Sequence, residues 1–258
     1  MDRIAHEVSQ VRLFFWGATM RQTTGEVTFS DIASTEEVIS AFQNVAVGME
    51  VNRCAILAPQ PFHFSAATET CIFHWGLDDH WVSKYRAILA MRIDRIPDAI
   101  IDRARPILWR DMAKWSAISS ENMQVLNEFF SAHGRGGISI PLYGPYGHQA
   151  LLSLSFATPI ESIDEPRVVE LTRIAMLAHR QYVKLKRNTL VPSLALSDRE
   201  RQVLAQIAGG CSKKQVARNL GLSASSVDTY QRRIFFKLEV EDRTSAAIKA
   251  LSMGLIKL

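Results

Sequence analysis

The chain has 258 residues, more than a typical single domain of roughly 100 to 200, so its length favours two compact units. Hydrophobic residues make up 47% and charged residues 22%, close to average globular usage, which excludes wholesale disorder. The net charge of +4 is too small, averaged over the whole chain, to announce a polyanionic partner, so its distribution has to decide. Cys54, Cys71 and Cys211 are odd in number, far apart and never spaced Cys-x-x-Cys, which speaks against a disulfide framework or a zinc knuckle and suits a reducing cytoplasm. No basic segment followed by an apolar core opens the chain, so no secretory signal is expected.

In chain order, residues 5–19 and 30–47 have helical apolar spacing, the second with Ser30 as a candidate N-cap. Short apolar runs at 53–58, 70–75, 137–142 and 150–156 suit strands, and Gly144-Pro145-Tyr146-Gly147 is a turn that would pair the last two as a hairpin. Helix candidates fall at 79–89, 97–104 and 119–133. Strands mixed with helices without strict alternation predict α+β layers around an antiparallel sheet. The stretch 136–160 lacks Asp, Glu, Lys and Arg, but its prolines and glycines read as strands and a turn, not as a membrane span. Apolar steps from Val168 to Leu185 predict an amphipathic helix over 165–186, and the lost periodicity from Arg187 to Pro192 predicts a linker. The expected division is a larger α+β unit over 1–187, a linker over 188–195 and an all-α unit over 196–258.

Charge separates these parts. Residues 193–258 carry 11 Lys+Arg against 6 Asp+Glu, a net of +5, whereas the preceding 192 carry 19 against 20, a net of −1. That asymmetry is expected when one end meets nucleic acid. Four short helical patterns follow Pro192. Ser197 with Glu200 three residues later is a capping box, Gly209-Gly210 ends the first helix, the second runs Lys213–Leu220, Gly221 turns the chain, and Ser223 caps a third helix to about Leu238. A fourth spans Arg243 to about Met253. Val216, Leu220, Leu222 and Val227 close a helix-turn-helix core, which leaves Ser225, Ser226, Thr229, Arg232, Arg233 and Lys237 to face a major groove, with Lys213 and Lys214 placed for phosphates.

The run Leu196-Ser197-Asp198-Arg199-Glu200-Arg201-Gln202-Val203-Leu204, followed by Val216-Ala217, Leu220-Gly221-Leu222-Ser223, Ser226-Val227, Ile234 and Lys237-Leu238, resembles the LuxR-type DNA-binding domain. Tyr230 stands where that family often has histidine, in the DNA-facing helix, and Gln215 where it often has glutamate. In the larger part, Trp81-Val82-Ser83-Lys84-Tyr85, Asp94, Trp109 and Gly137-Ile138-Ser139-Ile140-Pro141-Leu142 resemble the autoinducer-binding domain of quorum-sensing LuxR regulators. The resemblance implies an α/β/α sandwich for the larger part, and a transcription regulator rather than an enzyme. Its ligand would be an N-acyl-homoserine lactone, with no other cofactor and no metal, and its partners promoter DNA at a palindromic site, a second copy in a homodimer, and RNA polymerase.

On that resemblance, Trp109 offers an indole donor to the lactone carbonyl, Asp94 an acceptor for the amide N–H, Tyr85 a phenol for the amide carbonyl, Ser153 another hydroxyl, and Trp81 a wall. Asp94 also has a plain alternative as a helix-start cap before Pro97. A carboxylate buried without a partner costs on the order of several kcal/mol, so ligand binding would be expected to satisfy Asp94. Arg95 follows the aspartate where the family usually has proline, and Gly76-Leu77 stands where another pocket aromatic often lies. These departures leave open a solo regulator that binds DNA without a lactone or answers another small molecule. His74, Asp78, Asp79 and His80 have neither His-x-His nor His-Glu-x-x-His spacing, and Ser153 lacks a nucleophile-elbow frame, so metal and hydrolase chemistry are unsupported.

Overall fold

Alternation along the strands explains the architecture, because successive side chains in a strand point to opposite faces. The computed structural model describes residues 28–59, 70–90, 94–112, 123–124, 127–130, 136–157, 163–190 and 196–257. The expected helix over 5–19 and most of that over 119–133 lie outside the described residues, although 127–130 are helical. The N-terminal part runs α1 (Thr35–Gly48), β1 (Val51–Pro59), β2 (Thr70–Trp75), α2 (Asp79–Ala90), α3 (Ile96–Arg103), β3 (Ile107–Leu108), α4 (Trp109–Met112), β4 (Gly137–Tyr143), β5 (Gln149–Phe156) and α5 (Glu165–Leu190). The five strands form one antiparallel sheet in the order β2-β1-β5-β4-β3.

Even-numbered strand residues Cys54, Ile138, Ile140, Leu142, Leu152 and Leu154 turn to one face and pack against Val38, Phe42 and Ala46 of α1 and Leu171, Ile174, Ala175 and Ala178 of α5. On the odd-numbered face Leu57 and Leu151 pack with Val82 of α2, Ile96 and Ile100 of α3, and Trp109 and Met112 of α4. The result is the expected α/β/α sandwich. A one-residue slip of any strand would exchange the two faces, so the apolar pattern fixes the register. In that register Ser139 lies opposite Ser153, and Ser153 opposite Ala55, so three neighbouring strands present one transverse row.

Two boundaries differ from the sequence reading. Helix α1 is capped by Ser34, whose hydroxyl accepts the Glu37 N–H at 3.2 Å, with Glu36 and Glu37 in the first turn. Ser30 instead sits in a turn, bonded to Thr28 and Asp31, because Ser34 places the acidic pair where the positive end of the helix dipole favours it. Helix α5 continues through Leu190, past the loss of apolar periodicity at Arg187, so three residues of the expected linker are helical and the remaining five lie outside the described residues. Past Arg187 the Thr189 hydroxyl donates to the Leu185 carbonyl at 3.1 Å, so its polar side chain is satisfied within the helix that carries it.

The C-terminal part contains α6 (Asp198–Ala208), α7 (Lys213–Leu220), α8 (Ala224–Leu238) and α9 (Arg243–Ser252). Val203, Leu204, Val216, Val227, Ile234, Leu238, Ala246 and Ala250 form its fully buried core. Both strands of the Ser197–Glu200 capping box are made, and a second box joins Ser212 to Gln215. Glutamine therefore serves the capping role where the related domains often have glutamate. Gly221 takes φ 64, the left-handed conformation that lets the tight turn between α7 and α8 close, and the Leu222 N–H returns to the Ala217 carbonyl.

Candidate ligand pocket and nucleic-acid surface

A cavity of ≈ 60 Å³ opens between the odd face of the sheet and helices α2 to α4. Trp81, Tyr85, Asp94, Trp109 and Ser153, the five residues singled out in the sequence, all line it. Trp81 and Tyr85 stand one helical turn apart on α2 and stack at 4.9 Å and 17°, forming one wall. Phe129 approaches both Trp81 and Trp109, at 5.1 and 4.9 Å, and closes the aromatic box. Ala55, Leu57, Ile100 and Leu151 complete an apolar floor.

The polar groups are paired among themselves. Asp94 is 8% exposed; its Oδ2 accepts the Tyr85 hydroxyl at 2.5 Å and its Oδ1 the Ile96 N–H at 2.9 Å. Asp94 thus lines the pocket and also braces the start of α3 from one residue before its N-cap, which is Arg95, rather than being the cap itself. It is satisfied without a ligand, which corrects the expectation that a ligand is needed to satisfy it. Burial pushes its carboxyl above the ordinary aspartate range, while the bonds from Tyr85 and Ile96 pull against that rise. Burial likewise pushes the Tyr85 phenol well up, with the neighbouring carboxylate adding to the effect. On the sheet, Trp109 Nε1–H donates to Ser139 Oγ at 2.9 Å, and Ser139 Oγ lies 3.0 Å from Ser153 Oγ. Gly137 allows this: a Cβ there would sit 2.4 Å from the Trp109 ring.

The surface of α7 and α8 divides the residues expected to meet nucleic acid. Lys214, Ser225, Arg232 and Arg233 are exposed, and Ser226 and Thr229 are half-buried beside them. Ser225 and Ser226 hydroxyls bond to the Ser223 cap, and Thr229 bonds back to the Ser225 carbonyl. Lys213 pairs with Asp228. Tyr230 packs against the helical core. Lys237 pairs at 2.7 Å with Glu200, which is 3% exposed. Burial would raise the Glu200 carboxyl, but Lys237 and the Ser197 bonds outweigh it and hold it below its ordinary value.

Residues 34–183 match the family model described as the autoinducer binding domain, and residues 194–250 match that of bacterial regulatory proteins of the luxR family. The chain belongs to the LuxR-type regulators. This LuxR-type regulator is similar to the regulatory protein SdiA of Escherichia coli, 26% identical over 254 residues, covering 94% of this chain and 98% of that protein. The transcriptional activator AhyR of Aeromonas hydrophila is 24% identical, covering 85% of each. A putative HTH-type regulator, y4qH of Sinorhizobium fredii, is 31% identical over 157 residues, or 60% of this chain and about half (48%) of that protein. A crystal structure of E. coli SdiA shares the fold, with a TM-score of 0.66 at 22% identity, covering 88% of this chain and 94% of that one. SdiA in complex with octanoyl-rac-glycerol gives 0.57 at 20%, covering 87% and 91%. The family and these relatives are transcription regulators, not enzymes. Among the described residues no helix of this LuxR-type regulator is long and apolar enough to cross a membrane, and no cluster of three or more metal-capable side chains occurs.

Sequence reasoning did not single out Ser139 as a pocket group, although it stood within the quoted Gly137–Leu142 run. The signal was available: counting back from the Gly144–Gly147 turn through an antiparallel hairpin brings Ser139 opposite Ser153. Met112, Phe129 and Phe130 were missed for a different reason, since their sequence neighbourhoods carry no motif and only packing brings them to the cavity.

Proposed function

We propose that this LuxR-type regulator binds an N-acyl-homoserine lactone in the pocket walled by Trp81 and Tyr85 and binds a palindromic promoter site as a homodimer. Residues 1–187 are the sensor, 188–195 the connection and 196–258 the output domain; the regulator works in the cytoplasm and contacts RNA polymerase at the promoter. The observation that carries this reading is a buried carboxylate set beside an indole and two serine hydroxyls on an otherwise apolar wall. The lactone amide N–H replaces the Tyr85 hydroxyl on Asp94, Tyr85 turns to the amide carbonyl, and Trp109 exchanges Ser139 for the ring carbonyl, while Ser153 supplies a further hydroxyl. Each lost bond is answered by a new one, so the polar exchange is nearly neutral and apolar burial of the acyl chain drives binding.

A cavity of ≈ 60 Å³ is far below the roughly 300 Å³ lower end of small-molecule pockets, so the acyl chain enters by displacing the Trp81–Tyr85–Phe129 wall. Thermal unfolding of the full chain against lactones of short to long acyl chains tests this. Ligand at about 100-fold above its Kd contributes about 2.7 kcal/mol, an upward shift of a few degrees. Asp94→Asn and Trp109→Phe are expected to remove most of the shift, and no shift across the panel would sink the lactone reading. The second reading, a solo regulator answering a different amphiphile, is favoured by the fact that Asp94 already has two partners. The similar SdiA has been solved with octanoyl-rac-glycerol, whose head lacks an amide N–H. A shift by monoacylglycerol that survives Asp94→Asn would select it.

On the output domain, Ser225, Ser226, Thr229, Arg232 and Arg233 enter the major groove and Lys214 meets the backbone. Lys213, Tyr230 and Lys237 act at the margin, since each is tied to Asp228, the core or Glu200. Arg232→Ala is expected to weaken promoter binding by on the order of 1–3 kcal/mol where it reads a base; unchanged affinity and salt dependence would remove it from the interface.

A further inference from the structure

The turn between β4 and β5 and the end of α5 meet the C-terminal end of the last helix, and three successive backbone carbonyls there are bonded to side chains of the N-terminal part. His148 Nε2–H donates to the Ser252 carbonyl at 3.1 Å, Arg187 Nε–H to Met253 at 3.0 Å and Arg187 Nη2–H to Gly254 at 3.3 Å. The last carbonyls of a helix lack partners within it and carry partial negative charge, so a guanidinium is a fitting cap. The Arg187 guanidinium also lies 5.1 Å from the centre of the Tyr146 ring. That ring covers Gly254, where a Cβ would come within 2.3 Å of it. Tyr146 and Gly254 both have φ 62, so at this one contact a non-glycine residue is held in the left-handed region and a glycine is required.

We propose that Tyr146, His148 and Arg187 form a latch that holds the output domain on the sensor in one orientation, with Arg232 and Arg233 left exposed, and so presets how α8 meets DNA. The strained Tyr146 backbone and a guanidinium engaged on three sides mark a built contact rather than incidental packing. Its position gives it a role in signalling, because the same β4–β5 hairpin carries Ser139 and Ser153 in the pocket and the latch at its turn. A ligand that shifts the hairpin reaches the output domain through two strands. The latch rests on the DNA-binding role of α8 and on no particular ligand.

The test uses the full-length protein, Arg187→Ala, and Tyr146→Gly, which removes the ring while relieving the positive φ and therefore cannot fail by backbone strain. Small-angle scattering is expected to show a larger radius of gyration for both variants, with faster hydrogen exchange at the amides of 253–255. Affinity for promoter DNA is expected to fall about tenfold, within the range of coupling between sites. An unchanged radius and exchange in both variants would overturn the latch whether or not the protein binds DNA. A larger radius with unchanged affinity would overturn its presetting role. Loss of DNA binding by Arg232→Ala alone, with the radius unchanged, tests the α8 surface separately.

Discussion

Acid should destabilise the sensor domain through one buried imidazole. His179 lies on α5, its Nε2 is buried without a hydrogen-bond partner, and burial, helped by the charge of nearby His148, lowers its pKa from 6.5 to about 4. Between those values the unfolded chain takes up a proton that the folded chain refuses, so stability is full above 6.5 and is lost as pH falls towards 4. The interval corresponds to about 3 kcal/mol, a large share of the roughly 5–15 kcal/mol that holds a domain together. All five tryptophans, Trp16, Trp75, Trp81, Trp109 and Trp115, precede the output domain, so tryptophan fluorescence during urea unfolding reports the sensor alone. His179→Leu removes the titrating group and the unpartnered nitrogen, and should be less destabilised than the parent between neutral pH and pH 4 by about 3 kcal/mol. Comparing the two proteins cancels the contributions of groups that do not interact with His179; His148, whose charge acts on His179, is the exception. Of the other groups, lowered His148 acts with the same sign and raised Asp94 with the opposite one. Parallel stability curves for the two proteins would refute the reasoning.

Other substitutions probe the pocket and the helical core. Ser139→Ala leaves Trp109 Nε1 and Ser153 without their shared partner and is expected to destabilise the sensor by about 1–2 kcal/mol, measured by the same urea titration. Gly137→Ala forces a Cβ against the Trp109 ring at 2.4 Å and should cost about 1–3 kcal/mol and shift the tryptophan emission of the native state. Lys237→Met strands the buried carboxylate of Glu200; because Lys237 is itself 35% exposed, about 2 kcal/mol is expected, less than for a fully buried pair. Once the folded fraction is accounted for, its effect on promoter binding should be smaller than that of Arg232→Ala, which should also lessen the dependence on salt.

Much of the architecture could be read from local chemistry alone. Ser197 with Glu200, and Gly221 between two apolar helices, specify ends and a turn within a few residues, and neither depends on distant packing. The hairpin about Gly144–Gly147 is equally local. What escaped was decided by competition. Ser30 and Ser34 both carry a capping hydroxyl, and only the acids following Ser34 tip the balance. Apolar periodicity marks which face is buried, not how long a helix lasts, so it stopped short of Leu190. The Lys237–Glu200 pair was not legible because Glu200 lies 37 residues away and was already assigned to a cap. All five residues taken from the motif line one cavity, but the motif could not say that Asp94 and Tyr85, or Trp109 and the two serines, would bond to one another.

The division of the central strands into even and odd residues has an evolutionary consequence. Substitutions at Ala55, Leu57, Ser139, Leu151 or Ser153 alter what the cavity admits, while Ile138, Ile140, Leu152 and Leu154 answer only to α1 and α5. A gene duplicate can therefore drift towards a new signal one alternate codon at a time, without renegotiating the scaffold on the opposite side of the same strand.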